Sequence, residues 1–257
     1  MQIHLIRHGQ ANAAGLNYDK LTDQGYEQAR LLGRRLQQNG VQFCTYARGS
    51  LVRHVQTLEG ILDGIALAKS SETQSEKEKN SGIEPAGEDK VSTGTSGESK
   101  SPQIIEEAGL NEIDLDSWKS LAQDIAKSDA AFSSMLQHLK TSQGSGRRRR
   151  LAAVTGRVLD FWIRGQTREF LEFREAVVDS INSIASTRPG PALVVSSGTP
   201  IAILLARALG EDRPESIFHW LRHLANTSYS IIDVSSRWKA LQINSLDHLP
   251  MNSRSLM

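Results

Sequence analysis

This 257-residue chain has one cysteine, Cys44. An intrachain disulfide is therefore excluded and a reducing compartment is expected. Cys44 precedes Thr45 and Tyr46 in a short strand-like run, where a buried, inert thiol is expected. Neither sign of charge dominates, since 30 Lys and Arg against 29 Asp and Glu leave a formal net charge of +1. Such a balance gives no global field to recruit nucleic acid or a membrane surface, and neither partner is expected. No apolar run approaches the length of a bilayer span. The first residues enter a strand at once, without the basic region and apolar core of a signal peptide, so a cytoplasmic location is expected. No residues stand at metal-ligand spacing, and neither a metal nor a cofactor is expected.

Aromatic residues are only 5% of the chain, and none falls in residues 68–102. Ser, Glu, Lys, Gly and Thr dominate that stretch. It cannot bury enough apolar area to offset its ordering entropy, so a disordered insertion at about 68–102 is expected. The rest is long enough for one large α/β domain or two small ones.

What is present begins at the first residue. Ile3, Leu5 and Ile6 suit a short buried strand. The apolar run stops at Arg7, His8 and Gly9. An arginine grips an oxyanion through two parallel hydrogen bonds, an imidazole offers a nucleophilic nitrogen near neutral pH, and a glycine lets the backbone approach a ligand. Thr22 or Asp23 can cap a helix carrying Ala29, Leu32 and Leu36, which Asn39-Gly40 ends. A strand is expected over 41–46, leading into Gly49, Ser50, Leu51, Val52 and Arg53 at the start of a helix. His54 reads as a partly exposed helix residue. Order resumes near Ile104, and Glu112 follows Leu110-Asn111 with Asp114 close behind.

One helix is expected from Trp118 to about Leu139, followed by a loop from Thr141 to Gly146. Arg147 to Arg150 read as a solvated loop or helix start, because no aromatic residue is interleaved. Val154, Val158, Phe161 and Trp162 give another helix face, and Phe170 to Ile184 a further amphipathic helix. Pro191 to Val195 is continuously apolar and reads as a central strand. It ends at Ser196-Ser197-Gly198-Thr199, before a helix that Pro200 opens. Such a strand-to-helix turn aims backbone N–H groups at an anion.

The strand ending in Arg7-His8-Gly9 resembles the opening of the histidine phosphatase superfamily, the phosphoglycerate mutase-like proteins. Four further segments resemble that superfamily in order. Leu21 to Gly33 is similar to its "Leu-Thr, Gly, Gln-Ala, Leu-Gly" helix. Ser50 to Thr57 is similar to its "Ser-Pro-Leu, Arg, Gln-Thr" segment, with Gly49-Ser50 in place of Ser-Pro and Arg53 at the phosphate-binding position. Leu110 to Glu112 resembles its acid segment. Trp220 to Ser228 resembles the segment before its last strands, with Asn226 and His248 in structural roles. At the second turn the superfamily has "Val-Ser-His-Gly", whereas Ser197 replaces the histidine here. Arg7 to Ala11 together with Ser196 to Gly198 resemble a bacterial branch that combines "Arg-His-Gly-Gln-Ala" with "Ser-Gly" or "Ser-Ser-Gly".

The resemblance implies a three-layer α/β/α sandwich with a mostly parallel sheet, as a single domain over residues 1–257 that the insertion interrupts. It implies metal-independent hydrolysis of a small phosphomonoester through a phosphohistidine on His8. Arg7, Arg53 and Ser197 would hold the phosphoryl group, Glu112 would be the proton donor with Asp114 as the neighbouring alternative, and Asn12 would add a substrate contact. The helices between residues 118 and 162 would form the lid. Two alternatives stay open. Ser197 brings no charge, which fits a catalytically quiet relative that binds a phosphorylated ligand or a partner. A phosphoglycerate mutase is the third, although Gln10, Ala11 and Ala14 stand where mutases usually carry Glu, Ser or Thr, and Asn.

Overall fold

A computed structural model of the chain describes residues 1–12, 19–80, 103–165 and 167–256. Six strands form one sheet: β1 (Gln2–Arg7), β2 (Thr45–Arg48), β3 (Gln103–Glu106), β4 (Ala192–Ser196), β5 (Tyr229–Asp233) and β6 (Lys239–Ser245). Their spatial order is β3-β2-β4-β1-β5-β6. The β3–β2, β2–β4 and β4–β1 pairs are parallel, while β1–β5 and β5–β6 are antiparallel. The sheet is therefore mixed, and its four parallel strands all end on the same edge.

Helices cover both faces, because side chains alternate along each strand. Ile6, Leu193 and Val195 face α1 (Asp23–Gln38) and α2 (Val52–Asn80), where Leu32, Leu36 and Ile61 close the layer. Leu5, Ala192 and Val194 face the other side, toward α6 (Arg168–Thr187), α7 (Gly198–Ala208) and α8 (Pro214–His223). Between β3 and α6 lie α3 (Leu115–Ser128), α4 (Ala130–Thr141) and α5 (Gly144–Gly165). Ala122, Ile125, Phe132, Val154 and Val158 give these three helices a core cluster of their own. The expected α/β/α sandwich is observed.

Several boundaries differ from the sequence reading. The strand expected over 41–46 lies at Thr45–Arg48, because Val41 and Phe43 are apolar for packing against the α1 side rather than for pairing. The single helix expected from Trp118 is two, divided at Asp129, whose carboxylate caps α4 through Phe132 N at 2.9 Å. Arg147 to Arg150 lie at the start of α5, which opens at Gly144, the second of the two placements expected for them, and the loop expected over 141–146 is correspondingly shorter. Pro200 is the third residue of α7, which opens at Gly198. Cys44 is half-buried rather than buried. Helix α2 runs to Asn80, so the first part of the expected insertion is helical. Lys, Glu and Gln are good helix formers even without a face to bury. The remainder of that insertion, and Ala14, lie outside the described residues.

Candidate active site

The four parallel strands deliver their carboxyl ends to one place, the crevice where open α/β sheets carry their sites. Arg7 ends β1 and is 1% exposed. Its Nη1 donates to the Leu224 carbonyl, while its Nε has no partner. Burial lowers the Arg7 pKa to about 10, with Glu112 opposing and Arg53 adding to the shift. An arginine remains charged at that value, so the fold holds a desolvated cation facing a second cation.

His8 follows at once, its backbone fixed from three directions. Its N–H donates to the Ser196 carbonyl at 3.0 Å. Its carbonyl accepts from Thr227 N and from Asn226 Nδ2, both at 3.3 Å. Thr227 reaches this position from the left-handed region, with φ 52°, a conformation that costs a non-glycine residue on the order of 1 kcal/mol or more. The His8 Nδ1 lies 2.8 Å from the Gly9 carbonyl. A carbonyl only accepts, so Nδ1 carries the ring proton and Nε2 presents a lone pair. Burial, then Arg53, Arg7 and His54, hold the His8 pKa well below the ordinary histidine range, against the Gly9 hydrogen bond. The ring is therefore neutral at pH 7, as a nitrogen nucleophile must be.

Gly9 is required where it stands. A Cβ there would lie 2.4 Å from the Gly25 carbonyl oxygen, in the first turn of α1. The Gly9 N–H donates to Thr57 Oγ1 at 3.0 Å, and that hydroxyl donates in turn to the Arg53 carbonyl at 2.6 Å. Thr57 thus ties the His8 loop to the first turn of α2. Arg53, on that turn, sends Nη2 to Ser197 Oγ at 3.2 Å and Nη1 to the Asp19 carboxylate. Ser197 sits between β4 and α7 and is 1% exposed. As the residue before α7 it makes no capping bond with its side chain, so its hydroxyl serves the crevice instead.

Glu112 enters from the loop after β3. Its Oε2 accepts from Thr199 N at 3.2 Å, at the start of α7. The loop is pinned by Ser196 Oγ donating to the Leu110 carbonyl at 2.7 Å and by Asn111 Nδ2 donating to Ser50 Oγ at 2.7 Å. Asp114, the neighbouring alternative, caps α3 through Asp116 N and Ser117 N. Those bonds, led by Ser117, lower its pKa, the wrong direction for an acid at neutral pH.

The expected residues Arg7, His8, Arg53, Ser197 and Glu112 thus gather at one end of the sheet. The side-chain amide of Asn12 donates to the Lys20 carbonyl at 3.4 Å, next in sequence to Asp19. Two residues in the crevice were not expected there. Asp19, at φ 71°, accepts from Arg53 and from Val52 N. His54 is 0% exposed rather than partly exposed, and its Nε2 lies 2.8 Å from Ser197 Oγ. Its ring centroid is 5.8 Å from that of His8. The signal for His54 was its adjacency to Arg53. Nothing in the sequence marks Asp19.

Among the described residues, no group of three or more His, Cys, Asp or Glu could hold a metal ion, and no helix is long and apolar enough to cross a membrane.

Comparisons with known proteins bear on the fold and the family. The chain is similar in structure to the α-ribazole phosphatase of Shigella flexneri, at 21% identity over 95% of this chain and 96% of that one, with a TM-score of 0.55. It is similar to a mycobacterial glucosyl-3-phosphoglycerate phosphatase at 16% identity over 95% and 99% of the two chains, with a TM-score of 0.51. A phosphoserine phosphatase of Entamoeba histolytica gives 16% identity over 97% and 99%, with a TM-score of 0.50. At such identities these likenesses establish the fold. No curated protein matched the sequence. A family model covers residues 3–77 and 93–245, breaking off only inside the expected insertion. By that match the chain belongs to the histidine phosphatase superfamily, branch 1.

Proposed function

We propose that this protein hydrolyses small phosphomonoesters by way of a phosphohistidine on His8. The observation that carries the reading is the gathering of two guanidiniums and a buried hydroxyl around a neutral imidazole whose Nε2 is unprotonated. A phosphoryl dianion placed among Arg7, Arg53 and Ser197 offsets the repulsion between the two cations. Preorganised donors of this kind usually supply the largest catalytic term.

The reaction runs in two steps. The His8 Nε2 lone pair forms a bond to phosphorus while the bond to the leaving oxygen breaks, and Glu112 gives that oxygen a proton. Water then attacks the phosphorus, Glu112 takes the water's proton, and the P–N bond breaks to release phosphate. The Thr199 N–H and the Ile113 N–H orient the Glu112 carboxylate for both transfers. Asp19 holds Arg53 through Nη1, while Nη2 reaches Ser197 and Nε is unpartnered.

Release of p-nitrophenol from p-nitrophenyl phosphate in the presence of EDTA tests the reading. His8→Ala should abolish it, and wild type quenched in alkali should carry a phosphate that is stable in alkali and released by acid. A second reading, a phosphate-binding relative without turnover, draws on the neutral Ser197 and the Asp19 contact. It predicts vanadate binding with no hydrolysis of any of a panel of phosphorylated metabolites.

A further inference from the structure

His54 has no part in the two steps above, yet it is buried to 0% exposure beside them. Three features surround its ring. Nε2 lies 2.8 Å from Ser197 Oγ. Nδ1 is buried without a hydrogen-bond partner. And Gly49 leaves the ring its space: a Cβ there would stand 2.3 Å from His54 Nδ1 and 2.4 Å from Asn111 Oδ1. Asn111 Oδ1 is already engaged by Ser50 N at 2.8 Å. Gly49 and Ser197 are both positions at which the sequence departs from the superfamily pattern, and in the structure one imidazole lies against both.

Valence decides what the ring does. A serine oxygen has two lone pairs and one hydrogen. Arg53 Nη2, which only donates, takes one lone pair of Ser197 Oγ. His54 Nε2 can take the other lone pair by donating, or the hydrogen by accepting. Burial, with Arg53 and Arg48 nearby and Asn111 opposing, holds the His54 pKa well below the ordinary range, so the neutral ring has one proton to place. On Nδ1 that proton has only Asn111 Oδ1 to reach, which already accepts from Ser50 N at 2.8 Å, and Nε2 would then take the Ser197 hydrogen. On Nε2 it holds Ser197 Oγ and leaves that hydrogen free.

We propose that His54 is a positioning residue of the phosphoryl pocket: its Nε2–H holds Ser197 Oγ, so that the serine hydrogen is left to donate to a phosphoryl oxygen. The inference rests on reading the crevice as a phosphoryl site. In that reading Ser197 is not a lone neutral substitute but one half of a Ser–His pair. The pair returns an imidazole to the pocket from α2 instead of from the turn before α7.

The test is a double-mutant cycle of Ser197→Ala and His54→Ala, read as vanadate dissociation constant and as kcat/KM for p-nitrophenyl phosphate. Each single variant should weaken both by roughly 10–100-fold, below the ceiling for loss of one oxyanion donor. The double variant should be no worse than Ser197→Ala alone, because the imidazole acts only through that hydroxyl. His54→Gln, which can return an N–H near the Nε2 position, should recover most of the loss. Gly49→Ala, which touches neither partner chemically but fills the ring's space, should reproduce His54→Ala and takes its place in the cycle if His54→Ala does not fold. Nitrogen-15 NMR of the wild type should find the His54 proton on Nε2. Additive losses in the cycle, or a proton on Nδ1, overturn the proposal. Wild type that binds vanadate without hydrolysing any ester overturns the phosphatase reading alone, and the same coupling in vanadate affinity then still supports the Ser–His pair. Wild type that binds no vanadate overturns both.

Discussion

The crevice and the three-helix unit of α3, α4 and α5 treat charge in opposite ways. In the helical unit the charged side chains are at the surface, and many are paired one turn apart, as in Lys119 with Asp116, Lys127 with Asp124 and Arg164 with Asp160. Its interior is apolar, and Trp162 Nε1 is its one buried side-chain polar atom without a partner among the described residues. In the crevice, Arg7 Nε, Arg53 Nε and Thr199 Oγ1 are all buried and unpartnered. Buried polar groups are normally satisfied, and a cluster of exceptions calls for a cause. A dianion supplies one. The helical unit is organised for its own stability, whereas the crevice holds interactions in reserve for something that is not protein.

The largest expected effects fall on opposite sides of that comparison. Arg7→Met should lower kcat/KM for p-nitrophenyl phosphate by about 10³ or more, since the loss of one preorganised donor costs on the order of 10²–10³ before any loss of charge is counted. It should cost little stability in urea, because burial of the Arg7 cation is itself unfavourable, as its lowered pKa records. Phe132→Ala, in the core of the helical unit at 1% exposure, should do the reverse. It should cost about 3–5 kcal/mol in the same urea titration, with kcat/KM of the folded fraction unchanged. A large loss of stability with Arg7→Met, or of turnover with Phe132→Ala, would break the contrast.

Asp19 offers a smaller and sharper probe. It is the counter-charge on Arg53 in the free protein, in a pair whose side chains are 11% and 15% exposed. A phosphoryl group held by Arg53 competes with it for the charge of the guanidinium. Asp19→Asn should therefore lower the vanadate dissociation constant and KM by roughly tenfold or more, since a pair this little exposed is coupled more strongly than the ~1 kcal/mol of a surface pair, with little change in kcat. A weaker vanadate complex would mean that the carboxylate positions Arg53 for the ligand rather than competing with it.

The sequence showed the crevice more fully than the fold around it, and the reason is local. Arg7, His8, Arg53, Glu112 and Ser197 stand in short segments that follow the ends of parallel strands, and each was found because its own segment resembles the superfamily pattern. His54 could not. Its burial depends on Gly49, five residues before it, and on Ser197, far along the chain at the tip of β4. A side chain in the first turn of a helix can point to solvent or to the sheet, and a single sequence does not distinguish the two. Asp19 depends on a left-handed backbone and on a guanidinium 34 positions away, neither of which leaves a compositional trace. The boundary errors have the same origin. Phe43 is apolar without being paired in a strand, and the start of the expected insertion is helical although its composition offers no apolar face.

The smallest expected effect concerns protons, and it joins the two regions. Four imidazoles are held neutral by burial: His8 and His54 in the crevice, and His4 and His248 outside it. The last two are lowered from 6.5 to about 4. In the unfolded chain each titrates near the ordinary value, so below it the unfolded state binds protons that the native state does not. Stability is then complete above about pH 6.5 and falls as the pH drops, with the contribution of His4 and His248 spent near pH 4. The aspartates with lowered values act lower on the scale, Asp233 at about 2, which leaves the interval from pH 6.5 to 5 to the histidines. Urea midpoints should decline across that interval, and a variant such as His248→Gln, which keeps a partner for Thr227 Oγ1, should flatten the decline without changing kcat/KM at pH 7. The crevice pair should behave differently once an anion is bound, because a dianion raises the pKa of a neighbouring imidazole. With vanadate present, His8 and His54 should begin to titrate within the interval while His4 and His248 remain neutral. If all four respond to vanadate alike, or none does, the crevice is not the place where the molecule keeps its unspent charge.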